Sequence, residues 1–281
     1  MVEIVTVDTV TKLDEGHRGK VLIGGSHGGV YAGYLAARAG VRAVILNNAG
    51  VGRDSAGIGS LAYLDRLGLA AATVSHETAR IGDGGDMAAR GVISHVNRTA
   101  EALGCAAGQA CRDCAARMRD AAPATAVPPL YEEARFLLRA APDTPGAPEV
   151  WGLDSASLIG PDDDGRICIT ASHGALLGGK PDHAIRARPA AAVFNDAGVG
   201  IDDIGISRLP ALADRGIPAA TVAAASVRIG DARSAWETGI ISHVDAPAAA
   251  LGAAPGQDLQ TFVDLVIAHQ SPIRIKAPRE D

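Results

Sequence analysis

The chain has 281 residues, 47% of them hydrophobic and 21% charged, with a net charge of −6. That is enough apolar material for one large or two medium globular domains, and an acidic balance without a Lys/Arg block excludes the electrostatic footprint of a nucleic-acid binder. The start, MVEIVTVDTV, lacks a basic segment ahead of an apolar run, and no stretch approaches ~18 uninterrupted apolar residues, so neither a signal peptide nor a membrane span is expected and a cytoplasmic location follows.

In chain order, EIVTV, KVLIG, RAVIL, AATV and GVISHV read as strands. Their apolar runs do not alternate cleanly, which predicts a mostly parallel sheet covered on both faces, with the opening strand free to run antiparallel. VYAGYLAARAG and SAGIGSLAYLDRLG read as helices closed by a C-terminal glycine. Further helices are predicted around DMAAR and across 99–119. That last segment carries Cys105, Cys111 and Cys114, a Cys-x-x-Cys pair among them. Their later counterparts are Ala253, Leu259 and Phe262, so buried helix positions are expected rather than a metal or redox site. Between 121 and 148, PATAVPP and PDTPGAP bracket YEEARFLLRA, whose apolar spacing predicts a linker helix. The polar segment 271–281 reads as a loose tail.

The sequence is written twice. Asn47 to Gln109 aligns without a gap on Asn195 to Gln257, with NxAGVG, AATV, RIGD and ISHV all recurring. Roughly half the aligned positions are identical, far above chance. Upstream, after a two-residue slip, Asp8 pairs with Asp154, Ser26 with Ser172 and His27 with His173. The expectation is an internally duplicated α/β protein: two Rossmann-like layered lobes with mostly parallel sheets, related by a pseudo-twofold axis. The repeats cover residues 1–120 and 149–270, the Pro-bounded linker 121–148 and the tail 271–281. No G-x-G-x-x-G fingerprint is present, which disfavours dinucleotide binding.

In parallel α/β sheets ligands gather where strands end. The loops there carry Gly25-Ser26-His27-Gly28-Gly29, Asn47-Asn48, Ser75-His76-Glu77-Thr78 and Ser94-His95. Gly24-Gly25-Ser26-His27-Gly28 satisfies G-x-S-x-G between a strand and a helix, the setting of a nucleophile elbow. The competing reading is a glycine-rich phosphate or carboxylate cradle with Ser26 as donor and cap. His95 and His243 suit proton transfer or buried backbone bonding. Arg80-x-x-Asp83, repeated as Arg228-x-x-Asp231, reads as a local ion pair or a clamp for a substrate carboxylate. Asp54 and Asp202 read as helix caps. One difference breaks the symmetry: Ser75-His76-Glu77 becomes Ala223-Ala224-Ala225, which points to the first copy as the active one.

These residues predict an enzyme acting on a small polar, anionic substrate. The first expectation is hydrolysis of an amide, cyclic imide or ester: Ser26 attacks, His76 oriented by Glu77 takes the proton, and Asn47 or Asn48 polarises the carbonyl. His27 completes the catalytic group. Arg80 binds a carboxylate, with Gly28, Asp83, His95 and Asp196 lining the site. Two other classes fit the same loops. One is a lyase or isomerase using His-based proton transfer, in one form with a divalent metal on His27, His76, Glu77 and His95. The other is a non-catalytic small-ligand or nucleotide binder. No other cofactor is expected, and the expected partners are a small molecule and further copies of the chain.

Overall fold

The computed structural model describes residues 1–124, 126–143 and 146–270. The predicted strands of the first half form one sheet. β1 (Ile4–Val7), β2 (Val21–His27), β3 (Ala43–Asn47) and β4 (Ala70–Val74) run parallel in that spatial order, and β5 (Ile93–Val96) closes it antiparallel to β4. β1 is thus parallel, and the antiparallel strand lies at the other edge. Nearly every residue of β2, β3 and β4 is buried, as apolar runs without alternation require. α1 (Val30–Arg38) and α2 (Gly59–Asp65) cover one face; α3 (Gly84–Arg90) and α5 (Cys111–Met118) cover the other, with α4 (Arg98–Glu101) at the end of β5.

The helix predicted across 99–119 is two helices. Gly104 and Gly108 take φ of +80° and +85°, left-handed values that end one helix and turn the chain, and Val92 bridges Ala110 in between. Cys105, Cys111 and Cys114 are all buried in the core against this face, the packing role expected of them.

The second sheet has six strands in the order β11-β10-β9-β8-β7-β6, where β6 is Arg135–Arg139, β7 Val150–Leu153, β8 Ile167–His173, β9 Ala191–Asn195, β10 Ala219–Val222 and β11 Ile241–Val244. β7 to β10 are parallel; β6 and β11 are antiparallel edges. β6 corrects the predicted linker helix. The apolar stretch RFLLR lies along the open edge of β7, with Phe136 against Gly152 and the Arg135 guanidinium 4.7 Å from the centre of the Trp151 ring. α6 (Arg208–Ala213), α7 (Ala232–Thr238), α8 (Ala246–Ala250) and α9 (Leu259–Gln270) complete this part. The predicted tail 271–281 lies outside the described residues. Between β8 and β9 there is no counterpart of α1; two single 3-10 turns, Leu177–Gly179 and Pro181–His183, take its place. No helix among the described residues is long and apolar enough to cross a membrane.

The two sheets meet through the turns Ala49-Gly50-Val51-Gly52 and Ala197-Gly198-Val199-Gly200. All eight residues have positive φ, including the β-branched Val51 (63°) and Val199 (64°). The side chains of Asn47 and Asn48 accept from the Ala49 and Gly50 N–H groups, and Asn195 and Asp196 do the same for Ala197 and Gly198. A Cβ on Gly50 would stand 2.8 Å from Gly198 Cα, and one on Gly198 would stand 2.8 Å from Gly50 Cα. Behind this contact Ala49, Ile81, Ala175, Ala197 and Ile229 form a small core drawn from both sides.

Gly50→Ala is therefore expected to cost roughly 1–3 kcal/mol more than Gly68→Ala. Gly68 has a similar φ of +68° but nothing within 4 Å of its missing Cβ. Urea denaturation of the two variants measures the difference; equal losses would show that the close approach is not a constraint.

Candidate functional site

A break in strand register makes the site. β2 pairs with β3 at Ile23↔Ile45 and next at His27↔Asn47, so β2 spends two more residues over the interval than its partner. The same break separates Ile169↔Val193 from His173↔Asn195. A bulge of this kind bends the strand and re-aims its side chains. Ser26 and His27, and Ser172 and His173, all line a cavity of ≈ 490 Å³ built from both halves. Ser26 is not among the residues with positive φ, so the chain turns here by a bulge rather than by the strained elbow that G-x-S-x-G predicts.

Each serine oxygen accepts a backbone N–H: Ser26 Oγ from Val10 at 3.0 Å, Ser172 Oγ from Ala156 at 2.8 Å. Each histidine accepts at Nδ1, His27 from the Gly29 N–H at 3.1 Å and His173 from the Ala175 N–H at 3.3 Å. Nδ1 as acceptor leaves the proton of the neutral ring on Nε2. Burial lowers the His27 pKa to about 4. It takes His173 well below the usual range, with the nearby Arg208 and His27 adding to the shift. Both rings are therefore neutral N–H donors at physiological pH.

Arg208, on α6, supplies charge. It is buried; Nε donates to Ala175 O at 3.0 Å and Nη1 to Ala184 O at 2.6 Å, and the guanidinium lies 5.0 Å from the centre of the Phe194 ring. No carboxylate pairs with it among the described residues. Burial pushes its pKa down to about 10, which still leaves it cationic at neutral pH. The aligned residue in the first half is Ser60, packed against Gly33 of α1. The absence of a matching helix after β8 makes room for the longer side chain.

A further polar group lining the cavity is Glu133, from the segment leading into β6. Burial pushes its carboxyl up to about 7 against a lowering hydrogen bond from Ser155, and the charge of Asp154 raises it further. In all, Lys12, Arg38, Arg186 and Arg208 face the cavity against Glu133 and Asp182, a cationic excess inside a chain whose net charge is −6.

Of the catalytic and binding candidates read from the sequence, Ser26 and His27 line this cavity, together with their aligned counterparts Ser172 and His173. His76 is elsewhere: its ring packs on Gly198, Nδ1 lies 3.0 Å from Asn48 Oδ1, and its carbonyl accepts from Ile201 N–H at 2.9 Å. Glu77 is exposed; its N–H donates to Ser75 Oγ at 3.3 Å, and its charge acts on His76 against the burial that lowers the pKa of that ring. The expected Ser26–His76–Glu77 relay is not assembled, because His76 is occupied with the contact between the halves. Asn47, Asn48 and Asp196 brace the turns described above, and Asp196 Oδ1 also accepts from Ala224 N–H. Gly28 is required by packing, since a Cβ there would meet Gly57 O at 2.5 Å.

Arg80 does not pair with Asp83. Asp83 caps α3 through the Asp86 N–H, while Arg80 and Arg90 share Asp202 from the other half. Arg228 bonds both Asp231 and Asp54, so the two aspartates expected as caps are ion-pair partners across the junction, at φ of 53° and 58°. His95 sits on β5 beside Ser94 Oγ at 3.1 Å. His27, His76, Glu77 and His95 therefore do not converge as a metal set, and among the described residues no three His, Cys, Asp or Glu side chains gather as ligands. Arg208 and Glu133 escaped sequence reasoning. The Ser60/Arg208 mismatch was the signal available for the first; for the second there was none.

No protein-family model, curated protein or solved structure matches this chain.

Because Glu133 is held protonated above its ordinary 4.5, the folded state retains its proton up to about 7 while the unfolded chain has already lost it. Its contribution to stability is complete below about pH 4.5 and is lost as pH rises to about 7. Glu133→Gln is expected to flatten the decline of the urea midpoint across that window; an unchanged slope would remove Glu133 as a titrating group.

Proposed function

We propose that the two halves are duplicated α/β lobes related by a pseudo-twofold axis, and that the cavity between them is the active site of an enzyme acting on a small organic anion. The observation that carries this reading is Arg208: a buried guanidinium, without a carboxylate partner among the described residues, lining a cavity. Burying a charge is costly unless it is paired, so a site that keeps one unpaired is matched to an anion that arrives with the ligand. The matching register breaks and the paired Ser-His steps support the duplication.

The chemistry that fits best is proton transfer, the lyase or isomerase class. Glu133 has a carboxyl poised near neutrality, where a general acid–base gains most from both protonation states. The neutral Nε2–H groups of His27 and His173 stabilise oxygen atoms that gain charge during the reaction, and they do so without being proton acceptors themselves. An acyl-enzyme route through Ser26 is less well supported, since its oxygen is engaged by Val10 N–H and no base is hydrogen-bonded to it among the described residues.

Binding and chemistry separate in two variants. Arg208→Met is expected to abolish the thermal stabilisation that small carboxylates give the wild type, of about 2.7 kcal/mol at a hundredfold excess over Kd. Glu133→Gln is expected to keep that stabilisation and to lose turnover by a factor of roughly 10²–10⁴. Retained anion binding in a folded Arg208→Met protein would refute the assignment.

A further inference from the structure

The cavity is furnished in pairs, but its charge is not. Ser26 and His27 come from the bulge of β2, Ser172 and His173 from the bulge of β8. In each pair the hydroxyl oxygen and Nδ1 already accept a backbone N–H. What remains is the hydroxyl hydrogen and the Nε2–H, neither with an acceptor among the described residues. Each pair thus offers two donors and asks for an oxygen. Each histidine also reaches across the junction: His27 Cε1 lies 3.6 Å from the place a Cβ would take on Gly230, and His173 Cε1 lies 3.7 Å from that on Gly82.

Among the described residues, only one pair has a buried cation beside it. The Arg208 N–H donates to Gly174 O at 2.8 Å, directly after His173, and its side chain donates to Ala175 O. The same step in the first half is Ser60 N–H to Gly28 O, and Ser60 brings a hydroxyl and no charge. Lys12 and Arg38, the cations on the first half's side, are exposed and solvated, so they steer an anion toward the opening without fixing one deep inside.

Building on the anion site proposed above, we infer that the ligand is unsymmetrical: a carboxylate seated on Arg208, Ser172 and His173, and at its other end a neutral carbonyl oxygen seated on Ser26 and His27. The chemical class is a short oxo-acid or the monoamide of a short dicarboxylic acid. A second carboxylate at the Ser26–His27 end would have neutral donors but no buried counter-charge, and its desolvation would go uncompensated. A neutral carbonyl there loses little on leaving water because both of its acceptor directions meet a donor.

The test is a calorimetric titration of the full-length protein with a matched series: succinate, succinamate, succinamide and propionate, repeated with the malonate-derived set. Succinamate or its shorter analogue is expected to bind about tenfold or more tightly than the dicarboxylate, the diamide and the monocarboxylate. In Arg208→Met the preference for monoamide over diamide is expected to vanish. In His27→Phe, affinity for the monoamide is expected to fall to that for the monocarboxylate. The wild-type series decides the matter even if a variant fails to fold. Equal or tighter binding of the dicarboxylate, or binding of the monocarboxylate as tight as the monoamide, overturns the unsymmetrical ligand and leaves the anion site standing. No binding of any carboxylate in either set overturns the anion site itself.

Discussion

The contact of Gly50 with Gly198 governs the rest of the molecule. Two main chains meet there with no side chain between them, so the sheets cannot separate or slide without opening an unfilled gap. The approach demands four consecutive left-handed residues on each side, a conformation costly for Ala and Val. It persists because the flanking Asn47, Asn48, Asn195 and Asp196 side chains hold the turn N–H groups and because the Ala–Ile core behind them is shared. His76 against Gly198 and the ion pairs to Asp54 and Asp202 ring the same junction. Those pairs are half-exposed, worth about 0–1 kcal/mol each, so they orient the halves more than they bind them.

Placing the site follows from that junction. Each register break ends paired with the asparagine that leads into a turn, His27 with Asn47 and His173 with Asn195, so fixing the turns brings Ser26-His27 and Ser172-His173 to one cavity. The glycines nearby serve this approach. A Cβ on Gly25 would strike Asp83 N at 2.6 Å, which explains why the sequence resembles a nucleophile elbow without the chain adopting one.

Local features were legible and distant partners were not. All five strands of the first half follow from their apolar runs, and the strand-end placement of Ser26 and His27 follows from the Gly-rich loop. YEEARFLLRA has helical spacing, yet part of it is a strand, because the β7 edge offers hydrogen bonds that spacing cannot reveal. Arg80 and Asp83 are near in sequence, but Asp83 is committed to a cap and Asp202 is nearer in space. The contrast of Ser75-His76-Glu77 with Ala223-Ala224-Ala225 reads as catalytic in the sequence, but His76 is engaged at the junction between the halves. The difference that bears on the cavity is Ser60 against Arg208, both buried, and its meaning depends on the missing helix after β8, which the sequence alignment does not display.

The charge balance of the cavity ties these observations to chemistry. With Glu133 protonated, Arg208 is the uncompensated charge of the buried region, and the two imidazoles stay neutral because burial forbids them a second proton. On the function proposed above, a bound carboxylate would restore neutrality. On the same proposal, a second negative charge on the ligand or on Glu133 would then have no buried cation left to meet it among the described residues, so Glu133 would keep its proton to higher pH. If charge develops on the carbonyl oxygen at the opposite end, Ser26 and His27 answer it with dipoles already oriented by Val10 and Gly29 rather than with a cation. The two halves thus carry donor pairs of one design, with Arg208 beside one and Ser60 in the matching place of the other; on the function proposed above, the pair beside Arg208 anchors the carboxylate and the other meets the reacting oxygen.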